Sequence, residues 1–439
     1  MITLYNIILT IGVTVGIPLI IPIVLLSEKR RKTFLQRLGV KTLPENILSK
    51  NNKKPIWIHA LSVGEVFSSV PLVMKLKERF SDKRIVFSAS TKTGFEIANK
   101  LFKKNVDSIF FFPFDLLFSV KYIAEKINPE LIIIVESDIW PNFLFEMKKR
   151  NVPVILINAR LSKKSFKGYK RLLFISNKLF LFFAKICTQS LEDARRFMLL
   201  GIPSNMISTT GNIKFDQPYH LVSEEEIELL KQSMNIHQPV KKILLAGSTH
   251  EGEESILIDA FSMIRKNFAD TVLILVPRNP ERARSVLKLC KSSGFSSILM
   301  KDFKNIDKNE KFDVIIVDVI GILKRLYAIA DVAFIGGSLV DLGGHNPLEP
   351  SAFSKPVIFG QYMSAFANIS QMLVDSGGAV QVKNTNSLYE TIVEILLDSD
   401  KARNMGEKAF NVFNSNKGAV EKTLKVIESQ LKDCEKQQL

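Results

Sequence analysis

The chain is predicted to fold as two doubly wound parallel α/β domains in tandem, behind an apolar N-terminal helix. Three observations carry that prediction. Short continuous apolar runs alternate with amphipathic stretches, the alternation restarts past the middle of the chain, and Met1 to Leu26 hold no charged side chain. Runs such as Leu131–Val135 lack the apolar/polar alternation of a half-exposed strand, so they suit parallel sheets covered on both faces by crossover helices. A length of 439 residues accommodates two such domains and an appendage.

The N-terminal segment is the first element. As a helix it would be about 39 Å long, against a bilayer hydrocarbon core of ~30 Å. Pro18 and Pro22 would kink it, which a membrane helix tolerates better than a soluble one. Lys29, Arg30, Arg31, Lys32 and Arg37 follow, and no basic side chain precedes. The positive-inside rule then makes residues 1–27 a single-pass anchor with the remainder in the cytoplasm. A cleaved signal peptide would need a basic start and a shorter apolar run. The basic cluster also suits anionic lipid head groups.

Residues 28–215 form the first predicted domain, with strands at Ile56–Ala60, Arg84–Ser90, Ser108–Phe112, Leu131–Glu136, Val152–Asn158 and Ile186–Gln189. The aromatic run Phe110–Phe114 reads as a buried strand ending at a ligand-facing edge. Leu172–Phe183, flanked by Lys170, Arg171 and Lys185, reads as a core-facing helix, with an interfacial membrane helix as the alternative. A polar, helix-prone linker spans residues 216–240. Residues 241–439 form the second domain, with strands at Lys242–Ala246, Thr271–Val276, Asp313–Val317, Val332–Ile335, Lys355–Phe359 and Ala379–Val382, and a closing C-terminal helix.

A formal net charge of +16 points to an anionic partner: nucleic acid, acidic membrane or phosphorylated substrate. The hydrophobic content of 46% excludes a disordered chain. Cys187, Cys290 and Cys434 form no CxxC pair, which fits reduced thiols rather than a disulfide framework or cysteine zinc site. His59, His220, His237, His250 and His345 show no ligand spacing, so no metal is expected. There is no GxGxxG and no GxxxxGK[ST]. The DxD at Asp398-Ser399-Asp400 ends a helix far from the strand tips, which gives a metal-bridged diphosphate little support. No RNA-binding motif appears and the basic residues are dispersed, so a nucleic-acid partner is not expected.

Ligand-contacting residues of open α/β sheets sit beyond the C-terminal ends of strands. Gly343–Pro350 is a glycine-rich turn after a strand. Asn346 suits a helix N-cap, Pro347 the first helical position and Glu349 the reciprocal capping position, so unpaired N–H groups there could receive a phosphate. Glu65, after the first strand, suits either a helix cap or a general base that takes a proton from a sugar hydroxyl. Glu136 ends another apolar strand, where a carboxylate is costly unless exposed or paired. Asn158-Ala159-Arg160 ends a third. Lys214 lies near the domain junction, as a surface residue or facing an anion. Ala246–Glu253 is a strand, a small-residue turn and an acidic-capped helix start, and Arg278 after Val276-Pro277 suits phosphate or base contact.

Taken together, these strings resemble the bacterial 3-deoxy-D-manno-octulosonic acid (Kdo) transferases of lipopolysaccharide synthesis. The resemblance rests on His59–Glu65 (HALSVGE), Glu136–Asn142 (ESDIWPN), Asn158–Ser162 (NARLS), Gly211–Asp216 (GNIKFD), Ala246–Glu251 (AGSTHE), Pro277-Arg278 and Gly343–Pro350 (GGHNPLEP). It implies a GT-B-type inverting glycosyltransferase at the bacterial inner membrane. Such an enzyme uses CMP-Kdo as donor, a lipid A precursor (lipid IVA) as acceptor, and neither cofactor nor catalytic metal. The first domain would bind the acceptor, and the second the CMP-sugar. The family's general base falls on Glu65, and its acidic and lysine transition-state positions fall on Glu136 and Lys214. Its CMP contacts fall on Pro277-Arg278, on Gly321-Ile322-Leu323 and on Asn346-Pro347-Leu348-Glu349. This chain has Ile322 where the family usually has glutamate, and Ser137-Asp138 where Thr-Glu is usual. A backbone contact at Ile322 survives that change and a side-chain contact does not. Two other readings are a membrane-associated transferase using a UDP-sugar and a membrane-tethered nucleic-acid-binding protein.

Overall fold

The computed structural model describes residues 2–25, 28–39, 54–136, 139–217, 219, 222–236, 242–307 and 310–438, with side chains described throughout these except at 17–32, 305 and 437–438. The chain divides into two compact units, Met1–Pro218 with Asn416–Leu439, and Tyr219–Ser415. Most of the linker expected at residues 216–240 is therefore part of the second unit. His220 and His237, Ser137-Asp138 and parts of that linker lie outside the described residues.

The first unit holds strands β1 (Ile56–Ala60), β2 (Ile85–Ala89), β3 (Ser108–Phe111), β4 (Leu131–Val135), β5 (Val154–Ala159), β6 (Lys185–Thr188) and β7 (Ile207–Thr209). They form one sheet in the order β3-β2-β1-β4-β5-β6-β7, every pair parallel. β4 shows why continuous apolar runs fold this way. Ile132 and Ile134 enter one core cluster with Trp57, Phe112 and Phe143, while Leu131, Ile133 and Val135 enter another on the opposite face. Both faces are dry, as expected for a parallel sheet covered by helices.

The second unit repeats the plan with β8 (Lys242–Thr249), β9 (Thr271–Pro277), β10 (Ser297–Leu299), β11 (Val314–Ile316), β12 (Val332–Ile335), β13 (Val357–Phe359) and β14 (Ala379–Gln381). Its order is β10-β11-β9-β8-β12-β13-β14, again parallel throughout. In each sheet the winding reverses beside the first strand, between β1 and β4 and between β8 and β12. Doubly wound sheets place their ligands at such points.

Three expectations are corrected. The last helix, Ala419–Gln438, does not close the second domain: it packs on the first unit. Ala419, Val420, Leu424, Ile427 and Leu431 repeat at helical spacing and are buried in the first sheet's core. Its start is fixed by the Asp216 carboxylate, which accepts from Gly418 N–H and Val420 N–H at 2.6 Å each.

The anchor expected for residues 1–27 is not supported. A helix runs Ile2–Leu25, but among the described residues no helix is long and apolar enough to cross a membrane. Polar side chains in its first turns bond the body of the unit instead: Tyr5 Oη donates to Asp115 Oδ2 at 2.9 Å, and Asn6 Nδ2 to Asn142 Oδ1 at 2.8 Å.

The third correction concerns Leu172–Phe183. Phe180 and Phe183 are buried as expected, but Leu172, Leu173, Phe174 and Ile175 point outward, Phe174 with 72% of its surface exposed. The helix Leu173–Phe180 faces the core with Ser176 and Phe180 only.

Candidate functional site

In the first unit the sequence-predicted residues lie beyond the C-terminal ends of β1, β4 and β7. Glu65 occupies the first turn of the helix Val63–Arg79, directly after β1. Leu61 N–H donates to its Oε2 at 2.5 Å and Ser62 Oγ to its Oε1 at 3.2 Å. The carboxylate thus closes the strand-to-helix turn while remaining half-buried rather than enclosed.

Glu136 follows β4 with φ +69°, a left-handed conformation that costs a residue with a Cβ about 1–3 kcal/mol. Its Oε1 lies 3.2 Å from Lys214 Nζ. The lysine is placed by a polar lattice. Asn212 Oδ1 accepts from Lys214 N–H at 3.0 Å, while Asn212 Nδ2 donates to Gln189 Oε1 at 3.2 Å. Gln189 Nε2 donates to Asn158 O at 2.9 Å, and Asn158 Oδ1 accepts from Ile213 N–H at 3.1 Å. Asn158 is fully buried at φ +53°, where β5 slips register against β6. The ends of β4, β5, β6 and β7 are tied into one frame around a carboxylate–ammonium pair. Sequence reading singled out Glu136 and Lys214 but had no signal for their pairing or for Gln189.

In the second unit, Pro277 ends β9 buried and Arg278 stands just beyond it, exposed, its N–H donating to Thr249 O at 2.9 Å. Gly321, at φ +93°, and Ile322 lead into the helix Leu323–Ile329. The helix expected after Asn346 is only a four-residue turn, Leu348–Ser351. Asn346 Oδ1 accepts from Leu348 N–H at 3.1 Å, but the turn starts one residue later than expected, with Pro347 rather than Asn346 at the N-cap and no reciprocal bond from Glu349. Leu348 is fully buried.

Glu349 instead belongs to a cluster. Burial pushes its carboxyl above the usual range, while Lys324 and Arg278 pull it down. Burial and the Glu349 charge also raise the Tyr219 phenol, whose hydroxyl lies beside the Asn346 side chain without a well-directed hydrogen bond. Lys324 Nζ sits 5.4 Å above the Tyr219 ring. Tyr219 was hidden in a stretch read as polar linker.

The loops after β8 and β12 meet. Ser248 takes φ +59°, and a Cβ at Gly336 would lie 2.2 Å from Ser248 O, so only glycine allows that approach. Among the described residues no group of three or more His, Cys, Asp or Glu side chains could hold a metal ion.

Residues 32–217 match the family described as 3-deoxy-D-manno-octulosonic-acid transferase (kdotransferase). The chain is 34% identical over 417 residues to the 3-deoxy-D-manno-octulosonic acid transferase of Haemophilus influenzae, covering 94% of this chain and 96% of that one. It is 31% identical to the transferase of that name from Rickettsia typhi, over 85% of this chain and 79% of that one. In fold it is similar to a glycosyltransferase from Rickettsia africae, with a TM-score of 0.57 at 18% identity, over 87% of this chain and 99% of that chain. The chain belongs to the Kdo transferase family of glycosyltransferases.

Proposed function

We propose that this chain transfers Kdo from CMP-Kdo to a lipid A precursor (lipid IVA), with inversion and without a catalytic metal. Family membership supports the class of reaction. The observation that carries the mechanism is the Glu136–Lys214 pair, 3.2 Å apart in a frame of side-chain amides, beyond the end of the strand next to the one that leads into the Glu65 helix.

Glu65 acts as the general base. The bonds its carboxylate accepts from Leu61 and Ser62 orient it at the strand end. The hydroxyl proton passes to Glu65, and the oxygen attacks the anomeric carbon of Kdo. The bond from that carbon to the phosphate oxygen breaks, and its electron pair leaves on CMP. Lys214, neutralised by Glu136 in the resting protein, supplies positive charge as the leaving group becomes anionic, a role worth about 2.7–4 kcal/mol for a well-placed donor. Proton transfer to a positioned base contributes typically about 10²–10⁴-fold.

The second unit binds the donor. Arg278 is exposed and suits the phosphate, and Glu349 with Asn346 suits the ribose hydroxyls. Pro277, Gly321, Ile322, Leu323, Pro347 and Leu348 contribute backbone and shape. Ile322 in place of glutamate then leaves a backbone contact intact.

The acceptor is a lipid, and the exposed run Leu172-Leu173-Phe174-Ile175 directly follows the basic helix Lys163–Arg171. Apolar side chains beside lysines suit the head-group region of an anionic membrane, which brings the enzyme to its acceptor.

The test incubates detergent-solubilised protein with CMP-Kdo and lipid A precursor, then weighs the lipid by mass spectrometry. A mass gain of one or more Kdo units supports the reading. An unchanged lipid, with transfer from a UDP-sugar instead, replaces it with the UDP-dependent alternative.

A further inference from the structure

The loops after β8 and β12 are fastened by two contacts that the reaction described above does not use. The first is a carboxylate in a backbone cradle. Glu253 is fully buried, and its Oε2 accepts from Gly337 N–H at 2.6 Å and His250 N–H at 3.0 Å. Its Oε1 accepts from Ser338 N–H and Leu339 N–H, both at 2.9 Å. Consecutive N–H groups of this kind otherwise form a nest for a phosphate or other anion. Here the protein's own carboxylate fills it, so the donor phosphate must find its contacts elsewhere.

The second contact is a pair of imidazoles. His250 Nε2 and His345 Nε2 are 2.8 Å apart, with the ring planes only 2° from parallel. The pair lies across Gly337, where a Cβ would meet His345 Cδ2 at 3.2 Å and His250 Cδ2 at 3.5 Å. A hydrogen bond between two neutral imidazoles needs one Nε2–H and one bare Nε2. The accepting ring therefore carries its proton on Nδ1.

We propose that Glu253 and the His250–His345 pair form a clasp that positions the nucleotide-binding loops of the second unit. Glu253, His250 and His345 are positioning residues rather than catalytic ones. The clasp joins the loop that receives Arg278 N–H, through Thr249, to the segment that carries Asn346 and Glu349. It spans the strands β8 and β12, where the winding reverses. Burial, followed by Arg278 and the neighbouring His250, lowers His345 to about 4. Burial also lowers His250, with Arg278 and Arg282 acting the same way and Glu253 and Glu254 opposing. Both shifts favour the neutral rings, and the bond is lost only where both rings are protonated.

The proposal rests on the donor reading only through its probe, CMP, and the test uses the full chain. His345→Phe keeps a flat ring beside His250 and deletes the bond, whereas His345→Gln retains a donor and an acceptor. CMP affinity is expected to fall about tenfold or more in His345→Phe and to return to within about threefold of wild type in His345→Gln, the scale of one lost hydrogen bond. Melting temperatures of the two variants should agree within a few degrees. In Glu253→Gln, amide exchange at Gly337, Ser338 and Leu339 should accelerate. A His345→Phe protein that binds CMP like wild type overturns the clasp, as does equal loss in both His345 variants. If wild type binds UDP and not CMP, the donor reading fails, and the same comparison made with UDP still decides the clasp.

Discussion

The strand-end edges of the two units solve the same problem differently. In the first, charged side chains pair with each other, Glu136 with Lys214, and neutral amides hold them in place. In the second, a buried charge is spent on the backbone: Glu253 neutralises four N–H groups and leaves Arg278 exposed. An edge built from charged side chains suits chemistry, because its groups can respond to charge developing on a substrate. An edge whose loops are fastened from beneath suits binding of a fixed shape such as a nucleotide.

The contrast can be broken most severely at Glu65. Glu65→Gln keeps a similar shape and removes the proposed base, and turnover should fall roughly 10²–10⁴-fold in single-turnover measurements. Next comes Lys214→Ala, which should lower turnover about 10²–10³-fold and leave CMP affinity within a factor of about three. An unaltered rate in Lys214→Ala would reduce the Glu136–Lys214 pair to a structural tie.

A smaller effect comes from acid. His250 and His345 titrate below the ordinary histidine value of 6.5, so the unfolded chain takes up their protons first. The stability they contribute is intact above about pH 6.5 and drains away as pH falls toward about 4, on the order of 3 kcal/mol. Thermal melts across that range should show the loss, and His345→Phe should flatten it. The mildest change is Phe174→Ser on the exposed run. It should weaken binding to anionic vesicles several-fold while leaving melting temperature and transfer to detergent-dispersed acceptor unchanged.

Much of the scaffold was legible because parallel strands buried on both faces leave uninterrupted apolar runs. Ile56–Ala60 and Val332–Ile335 fold over the residues expected. The three-residue edge strands β7 and β10 were not legible. The destination of the last helix was illegible too. Its apolar stripe says that it must bury a face but not against which sheet, and Asp216 decides that from 202 residues away. The run Leu172–Ile175 misled because apolar composition alone does not distinguish a core from an outward patch.

At the site, strand-end position identified Glu65, Glu136 and Arg278 as candidates. The partners that orient them come from distant strands, as Gln189 does for Asn212 and Lys214. Glu253 read as an acidic helix cap, because its place beside a glycine and before a helix is the same in either case. Only the fold brings Gly337, Ser338 and Leu339 to its oxygens.

The division of labour is tested most directly by measuring CMP affinity and single-turnover Kdo transfer side by side in Glu65→Gln and Glu349→Gln. The expected result is a large loss of rate with unaltered CMP binding in the first, and weakened CMP binding in the second. Full activity in Glu65→Gln, or wild-type CMP affinity in Glu349→Gln, would contradict it.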